Sequence, residues 1–287
     1  MTKILVTGAS GFLGKSVSDY FIQKGHTVFP LSRQELDVSD RTQVLDWFKN
    51  NKADYVIHTA IKGGRRGQSD TFSDYVLNLK MFENLFECRQ KYSLMINFGS
   101  GAEFDRRNNI DLFEENKIFD TLPEDFYGLA KNMITRKIIR HNSNVYNFRL
   151  FGCFGADEAE NRLLKILYKG IKNQSKAEID SGKKMDFFYD KDVCRAIEFY
   201  MNNHEKTDLP RDVNLVYEEK MNLGEISKIL ERTVGLSNDS LSLNNTRTNS
   251  YTGDWKLCAK TFPKDLFSGF QKGLFEIYGG LECPTKK

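Results

Sequence analysis

Short apolar runs rich in β-branched and aromatic residues recur along the first half of the chain, and between them apolar positions space out at helical intervals. Runs near Ile4 to Thr7, Thr27 to Ser32, Tyr55 to Thr59, Leu94 to Gly99 and Val145 to Phe151 read as strands. Amphipathic stretches near Phe12 to Lys24, Arg41 to Asn50, Asp74 to Arg89 and Phe126 to His141 read as the helices between them. Such alternation implies parallel βαβ units, and so an α/β fold with a doubly wound parallel sheet. After about Gly155 the regularity fades into a helix around Asn161 to Lys172, a strand-like MDFFY, a helix from Lys191 and late helices near Leu223 to Thr233 and Lys264 to Tyr278. The pattern predicts one domain over residues 1–155, with segments returning to it from about 186–216, and a smaller mixed α/β C-terminal lobe over 156–287.

Composition narrows the possibilities. The 287 residues are 40% apolar and 28% charged with a net charge of +3, so neither a disordered tail nor a nucleic-acid-binding stripe is implied. No apolar run is long enough to span a bilayer and no leader pattern precedes Lys3, which predicts a cytoplasmic protein with no membrane partner. Five scattered cysteines without a C-x-x-C pair suggest neither a disulfide framework nor a metal site.

The chemistry begins with TGASGFLG, residues 7–14. Gly8, Gly11 and Gly14 follow the first strand and open the first helix, where glycine permits a tight turn, close approach to a pyrophosphate and close helix–strand packing. The helix N-terminus adds free N–H groups and its positive dipole end. Gly8, Ser10, Gly11, Phe12, Leu13 and Gly14 are therefore candidate dinucleotide-binding residues of a Rossmann domain. At the end of the second strand, FPLSRQELDVSD offers Ser32 and Arg33 and no carboxylate until Glu35. A guanidinium suits the 2′-phosphate of NADP(H), so NADP(H) is the expected cofactor, the alternative being an ordinary surface arginine.

A second constellation is FYGLAK, in which Tyr127 and Lys131 stand at i, i+4 on one helical face. A neighbouring ammonium favours the phenolate and would lower the phenol from its usual value of about 10, poising it as a proton donor. A packed Tyr beside a snorkelling Lys is the plainer reading. Ser100 ends the fourth strand in MINFGSGAEF, at the sheet edge where ligands of open α/β sheets bind, though serine there is also a common turn former.

Glycine turn, strand-end serine and Tyr-x-x-x-Lys occur in the order that resembles the extended short-chain dehydrogenase/reductase family. That resemblance implies that Ser100, Tyr127 and Lys131 are catalytic, that Tyr127 and Lys131 also contact the cofactor, Lys131 at the nicotinamide ribose, and that Asp37 and Val38 lie against the adenine, Asp37 otherwise belonging to the N-cap region before Asp40. It further implies that Thr59 and Ala60 flank the cofactor and that Asn78 matches a family asparagine. Within the family, AIKGG, RQELDVSD and a late YTGDWKL are similar to reductases of nucleotide-linked 4-keto-6-deoxysugars, a group including GDP-fucose synthase and dTDP-4-dehydrorhamnose reductase. The implied substrate contacts are Ser100, Gly101, Ala102, Tyr127, Gly152 and Lys184; Gly152 stands where the family often has Asn, and Lys184 neighbours Met185, which replaces a diphosphate-binding Arg. Ala102 and Asp157 stand where epimerising members carry Cys and His, so the expectation is C4 reduction by NADPH without epimerisation. A nucleotide-sugar 4-epimerase retaining NAD and a non-catalytic NADP(H)-binding regulator are the alternatives. A homodimer through the helices near Asp74 to Arg89 and Phe126 to His141 is also implied. The acidic stretch from Glu103 to Asp125 is expected to cover the substrate or to be a surface excursion, and His58 to be a packed residue.

Overall fold

Alternation within KILVT sets the layering of the molecule. In β1 (Lys3–Thr7), Ile4 and Val6 enter one apolar cluster and Leu5 a second on the opposite face, and all three are fully buried. The computed structural model describes residues 1–65, 67–141, 143–175, 177–237, 241–244 and 249–279; Cys283 and the rest of the predicted C-terminal lobe beyond Gly279 lie outside these. β1 pairs in parallel with β2 (Thr27–Leu31) on one side and β3 (Tyr55–His58) on the other. β4 (Leu94–Ser100), β5 (Val145–Leu150) and β6 (Asp212–Asn214) extend the sheet outward from β3, giving the order β6-β5-β4-β3-β1-β2.

Helices α1 (Phe12–Gln23) and α6 (Asp190–Asn203) cover the face of Ile4 and Val6 with Val17, Phe21, Val193 and Ile197. Helices α2 (Arg41–Asn50), α3 (Phe72–Glu87) and α4 (Phe126–Arg140) cover the other with Val44, Phe82, Leu85, Ile134 and Ile138. This is a Rossmann-like α/β fold, with the strand order reversing at β1. Thr7 is level with Leu31 and His58, and His58 with Asn97, so the loops after β1, β2, β3 and β4 open onto one edge. Among the described residues no helix is long and apolar enough to cross a membrane.

Two further clusters lie beyond the sheet. α5 (Leu163–Lys172), α7 (Leu223–Val234) and α9 (Phe270–Tyr278) pack around Phe154, Phe187 and Tyr189. The stretch after Glu103 contains a strand, Ile110–Phe113, paired in parallel with Tyr251–Gly253 over Phe104, Ile118 and Phe151. That pairing ties the acidic excursion to the C-terminal part of the chain.

Several predicted boundaries shift. The late helix starts at Phe270 instead of Lys264, because Gly269 adopts a left-handed φ of 88°; a short helix, α8 (Lys256–Thr261), precedes it. Of MDFFY only Phe188–Tyr189 is strand, paired with Cys153–Phe154.

Candidate active site

The glycine turn is shaped by what packs against it. Gly8 has φ of 71°, and a Cβ there would come within 2.6 Å of Ala60 Cα; a Cβ on Gly14 would come within 2.4 Å of Gly8 O and 2.6 Å of Thr59 Oγ1. Thr59 Oγ1 donates to Thr7 O at 2.7 Å, and the Gly8 N–H donates to Leu31 O at 3.0 Å, so the ends of β1, β2 and β3 are sewn together beneath the turn. Gly11 is the N-cap of α1 and contributes no side-chain cap, which leaves the first N–H groups of a twelve-residue helix free for an anion. Ser10, Ser32, Arg33 and Gln34 line an open cleft of about 610 Å³ beside it. Phe12 and Leu13, by contrast, pack against the core under α1.

Arg33 is 71% exposed, and its Nε donates to Asp37 Oδ2 at 3.0 Å. Asp37 also accepts from Ser39 N and Oγ. Glu35 folds back so that Ser32 N donates to its Oε2 at 2.8 Å, and this bond holds the Glu35 carboxyl below its ordinary range. A carboxylate thus stands at the exit of β2 after all. Val38 is buried in the core, its carbonyl accepting from Asn84 Nδ2; the structure turns its side chain inward, away from the cleft.

Ser100 ends β4 with its hydroxyl accepting from Ala102 N at 3.2 Å and its own N–H donating to Glu103 Oε1 at 2.7 Å. α4 starts where Asp125 accepts from Gly128 N, and so presents Tyr127 and Lys131 from its first two turns. The Ser100 hydroxyl lies against the Tyr127 phenol and favours its ionised form, but burial dominates and pushes the phenol up from its ordinary value. This corrects the expected lowering by Lys131. The ammonium donates instead to Phe98 O at 2.5 Å, and burial pushes it down to about 8 while Glu103 pulls the other way. Tyr127 is therefore held protonated, as a donor must be.

Asn78 is 1% exposed and spends its amide on the backbone of Lys62, accepting from Lys62 N at 2.9 Å and donating to Lys62 O at 2.8 Å. It clamps the loop after β3. Ala102 is 1% exposed with its carbonyl beneath Gly128, so its methyl is closed off from the cleft, against expectation. Gly101 lies against Phe151 and Tyr251, and Gly152 against the backbone of Asp186. Lys184 Nζ is 3.7 Å from Asp111 Oδ2, and Asp157 pairs with Lys15 at 2.8 Å. His58 is buried with its Nδ1 2.8 Å from Thr7 Oγ1, and burial lowers its pKa to about 3, as suits a packed neutral ring.

Sequence reasoning missed four contributors. Glu103 and Arg149 form a fully buried pair, with Arg149 Nε donating to Glu103 Oε2 at 2.8 Å, Nη2 to Asp212 Oδ2 at 2.6 Å and Nη1 to Asn214 Oδ1 at 2.9 Å. The Ser100-x-x-Glu103 spacing is a capping-box pattern and could have disclosed Glu103. Gly64 lies on the Tyr127 ring: its Cβ would come within 2.6 Å of Cε2, and its N–H donates to Asp70 Oδ1 at 2.8 Å. Gly64→Ala is expected to cost about 1–3 kcal/mol, because φ of 68° and the ring oppose a side chain together, and thermal melting checks this. The fourth is Tyr251, whose hydroxyl is 3.5 Å from Ser100 Oγ.

The family model described as "NAD dependent epimerase/dehydratase family" matches residues 4–215. The chain is 23% identical over 255 residues to GDP-L-colitose synthase of Yersinia pseudotuberculosis, covering 81% of this chain and 82% of that one. Its fold is similar to that of a GDP-mannoheptose C4 reductase from Campylobacter jejuni solved with NADP bound, with a TM-score of 0.81, 19% identity, and 96% of this chain and 97% of that one covered. A dTDP-4-dehydrorhamnose reductase from Clostridium acetobutylicum is similar at a TM-score of 0.79 and 17% identity, with 96% and 98% covered.

Proposed function

The chain belongs to the NAD dependent epimerase/dehydratase family, and from that premise we propose that it is an NADPH-dependent reductase of a nucleotide-linked 4-keto-6-deoxysugar, acting at C4 without epimerisation. The observation that carries this reading is the Tyr127 phenol lying against the Ser100 hydroxyl at the end of β4, with Lys131 of the same helix donating to Phe98 O, on the same sheet edge as the glycine turn. The turn suits a dinucleotide, since glycine at positions 8 and 14 lets it close tightly against Ala60 and Thr59 and α1 opens with no side-chain cap. In this reading Gly8, Ser10, Gly11 and Gly14 hold the diphosphate, Ser32 and Arg33 the 2′-phosphate, and Thr59 and Ala60 wall the cofactor after β3. When bound, the cofactor supplies hydride to the sugar carbon.

The chain's own residues do the rest. Ser100 donates to the ketone oxygen and orients it, and Tyr127 gives that oxygen its proton. Lys131, anchored on Phe98 O, binds the nicotinamide ribose. Ala102 and Asp157 bring neither a thiol nor an imidazole, which supports reduction without epimerisation. Exposed Phe72, packed on Tyr75 and Phe126, gives the homodimer expectation an apolar surface on α3 and α4. The names of the similar proteins, each a sugar-nucleotide enzyme, favour this substrate class.

A second reading, a 4-epimerase retaining NAD, draws support from Glu35, because a carboxylate at the exit of the second strand suits a ribose hydroxyl. The test is cofactor oxidation, followed by absorbance, against GDP-, dTDP-, CDP- and UDP-linked 4-ketosugars in deuterated water, with NADPH and NADH compared. The expected result is NADPH consumption with at least one substrate and no deuterium at C3 or C5. Co-purified NAD without NADPH consumption would transfer the assignment to the epimerase.

A further inference from the structure

The reaction proposed above uses one phenol, and the site contains two. Tyr251 opens the strand Tyr251–Gly253, which pairs with Ile110–Phe113 on one side. On the other, Tyr251 N donates to Lys184 O at 2.9 Å and Asp186 N donates to Tyr251 O at 3.1 Å. Its backbone is therefore gripped from both flanks. The ring meets Phe151 edge to face with centroids 5.2 Å apart, and a Cβ on Gly101 would come within 2.8 Å of its Cζ. The absence of a side chain at Gly101 is what lets this ring reach the end of β4.

The hydroxyl stops 3.5 Å from Ser100 Oγ. That separation exceeds the usual O–H···O distance of about 2.7–2.8 Å, so neither hydroxyl is committed to the other, and two donors so spaced can both reach oxygens of one ligand placed between them. Burial pushes the Tyr251 phenol up, with the Ser100 hydroxyl offsetting part of the rise, which favours the neutral, donating form. Nothing in the proton transfer from Tyr127 to the ketone oxygen requires this second phenol.

We propose that Tyr251 is a substrate-binding residue whose hydroxyl donates to a sugar hydroxyl beside the ketone, so that the C-terminal strand sets the position of the ring that Ser100 and Tyr127 act on. The inference rests on the reductase reading, and it assigns sugar recognition to a segment outside residues 4–215, the span of the family match. It also gives the excursion after Glu103 a role, since Ile110–Phe113 holds the strand that carries Tyr251.

The test is steady-state kinetics of Tyr251→Phe with the best 4-ketosugar from the assay above, alongside the NADPH dissociation constant and a thermal melt. Phe keeps the ring against Phe151 and Gly101 and removes only the hydroxyl. The expected result is a sugar KM raised about tenfold, the worth of one hydrogen bond, with kcat changed less than about threefold and NADPH binding unchanged. Tyr251→Leu, which also removes the ring, serves if the Phe variant melts early, and is expected to raise KM at least as far. An active wild type with unchanged KM in both variants overturns the inference alone, as does a loss confined to kcat. A wild type that oxidises NADPH with none of the ketosugars overturns the reductase reading and the inference with it.

Discussion

Tyr127→Phe is expected to lower kcat by about three orders of magnitude, within the range of about 10²–10⁴ that general acid catalysis contributes, while leaving the NADPH dissociation constant within about twofold. The phenol is the proton donor of the proposed reduction, and the Ser100 hydroxyl lies against it. The substitution is structurally mild, because the ring packs on Gly64 through carbons that Phe retains. Single-turnover NADPH oxidation isolates the step, so that a slow product release cannot mask the loss. Activity within about tenfold of wild type would mean that the proton comes from elsewhere and that Ser100, Tyr127 and Lys131 are not the reacting group.

The second large effect concerns Arg149. Its guanidinium is completely buried between Glu103 and Asp212, over the Phe104 ring at 4.6 Å. Arg149→Met removes the guanidinium that stands between Glu103 and Asp212 and leaves both carboxylates without it, a change worth about 3–5 kcal/mol of stability. At about 2–4 °C per kcal/mol for a chain of this size, the melting temperature is expected to fall by roughly 10 °C. The sign of the pH dependence follows from burial, which already pushes Glu103 up. Without Arg149 its folded-state pKa rises further above the unfolded value, so protonation favours the folded state and the deficit narrows as pH is lowered from 8 to 5. Because Glu103 also accepts from Ser100 N, activity should fall more steeply than the melt alone predicts. A melting temperature within about 2 °C of wild type would show that the cluster does not hold the site. Adding Glu103→Gln and Asp212→Asn to Arg149→Met is expected to recover part of the loss, since the two carboxylates left without the guanidinium are then neutral.

Where local pattern and tertiary burial agree, the fold was legible. Five of the six sheet strands are apolar runs bounded by turn residues, and each forms within a residue or two of its expected place. β6 escaped notice because Asp-Val-Asn inverts the expected composition: its polar side chains are consumed by Arg149 and Asn147, partners set by neighbouring strands and invisible to a local window. The i, i+4 pairing of Tyr127 with Lys131 was readable, but the direction of the phenol's shift was not, because spacing encodes proximity and says nothing of desolvation. Arg33 and Asp37 share the same i, i+4 spacing, and their ion pair was overlooked for want of a predicted helix there. Asn78 is the converse case: its position was foreseen, but its grip on Lys62 depends on a loop conformation that composition does not specify.

The parallel joint between Ile110–Phe113 and Tyr251–Gly253 has a bearing on biogenesis. During vectorial translation the glycine turn and Tyr127 leave the ribosome well before Tyr251, by an interval of roughly ten seconds at about 5–20 residues per second. Throughout that delay the earlier strand waits without its mate. A nascent chain can therefore form its glycine turn early, yet the stretch after Glu103 gains its paired strand only when the late-made segment arrives.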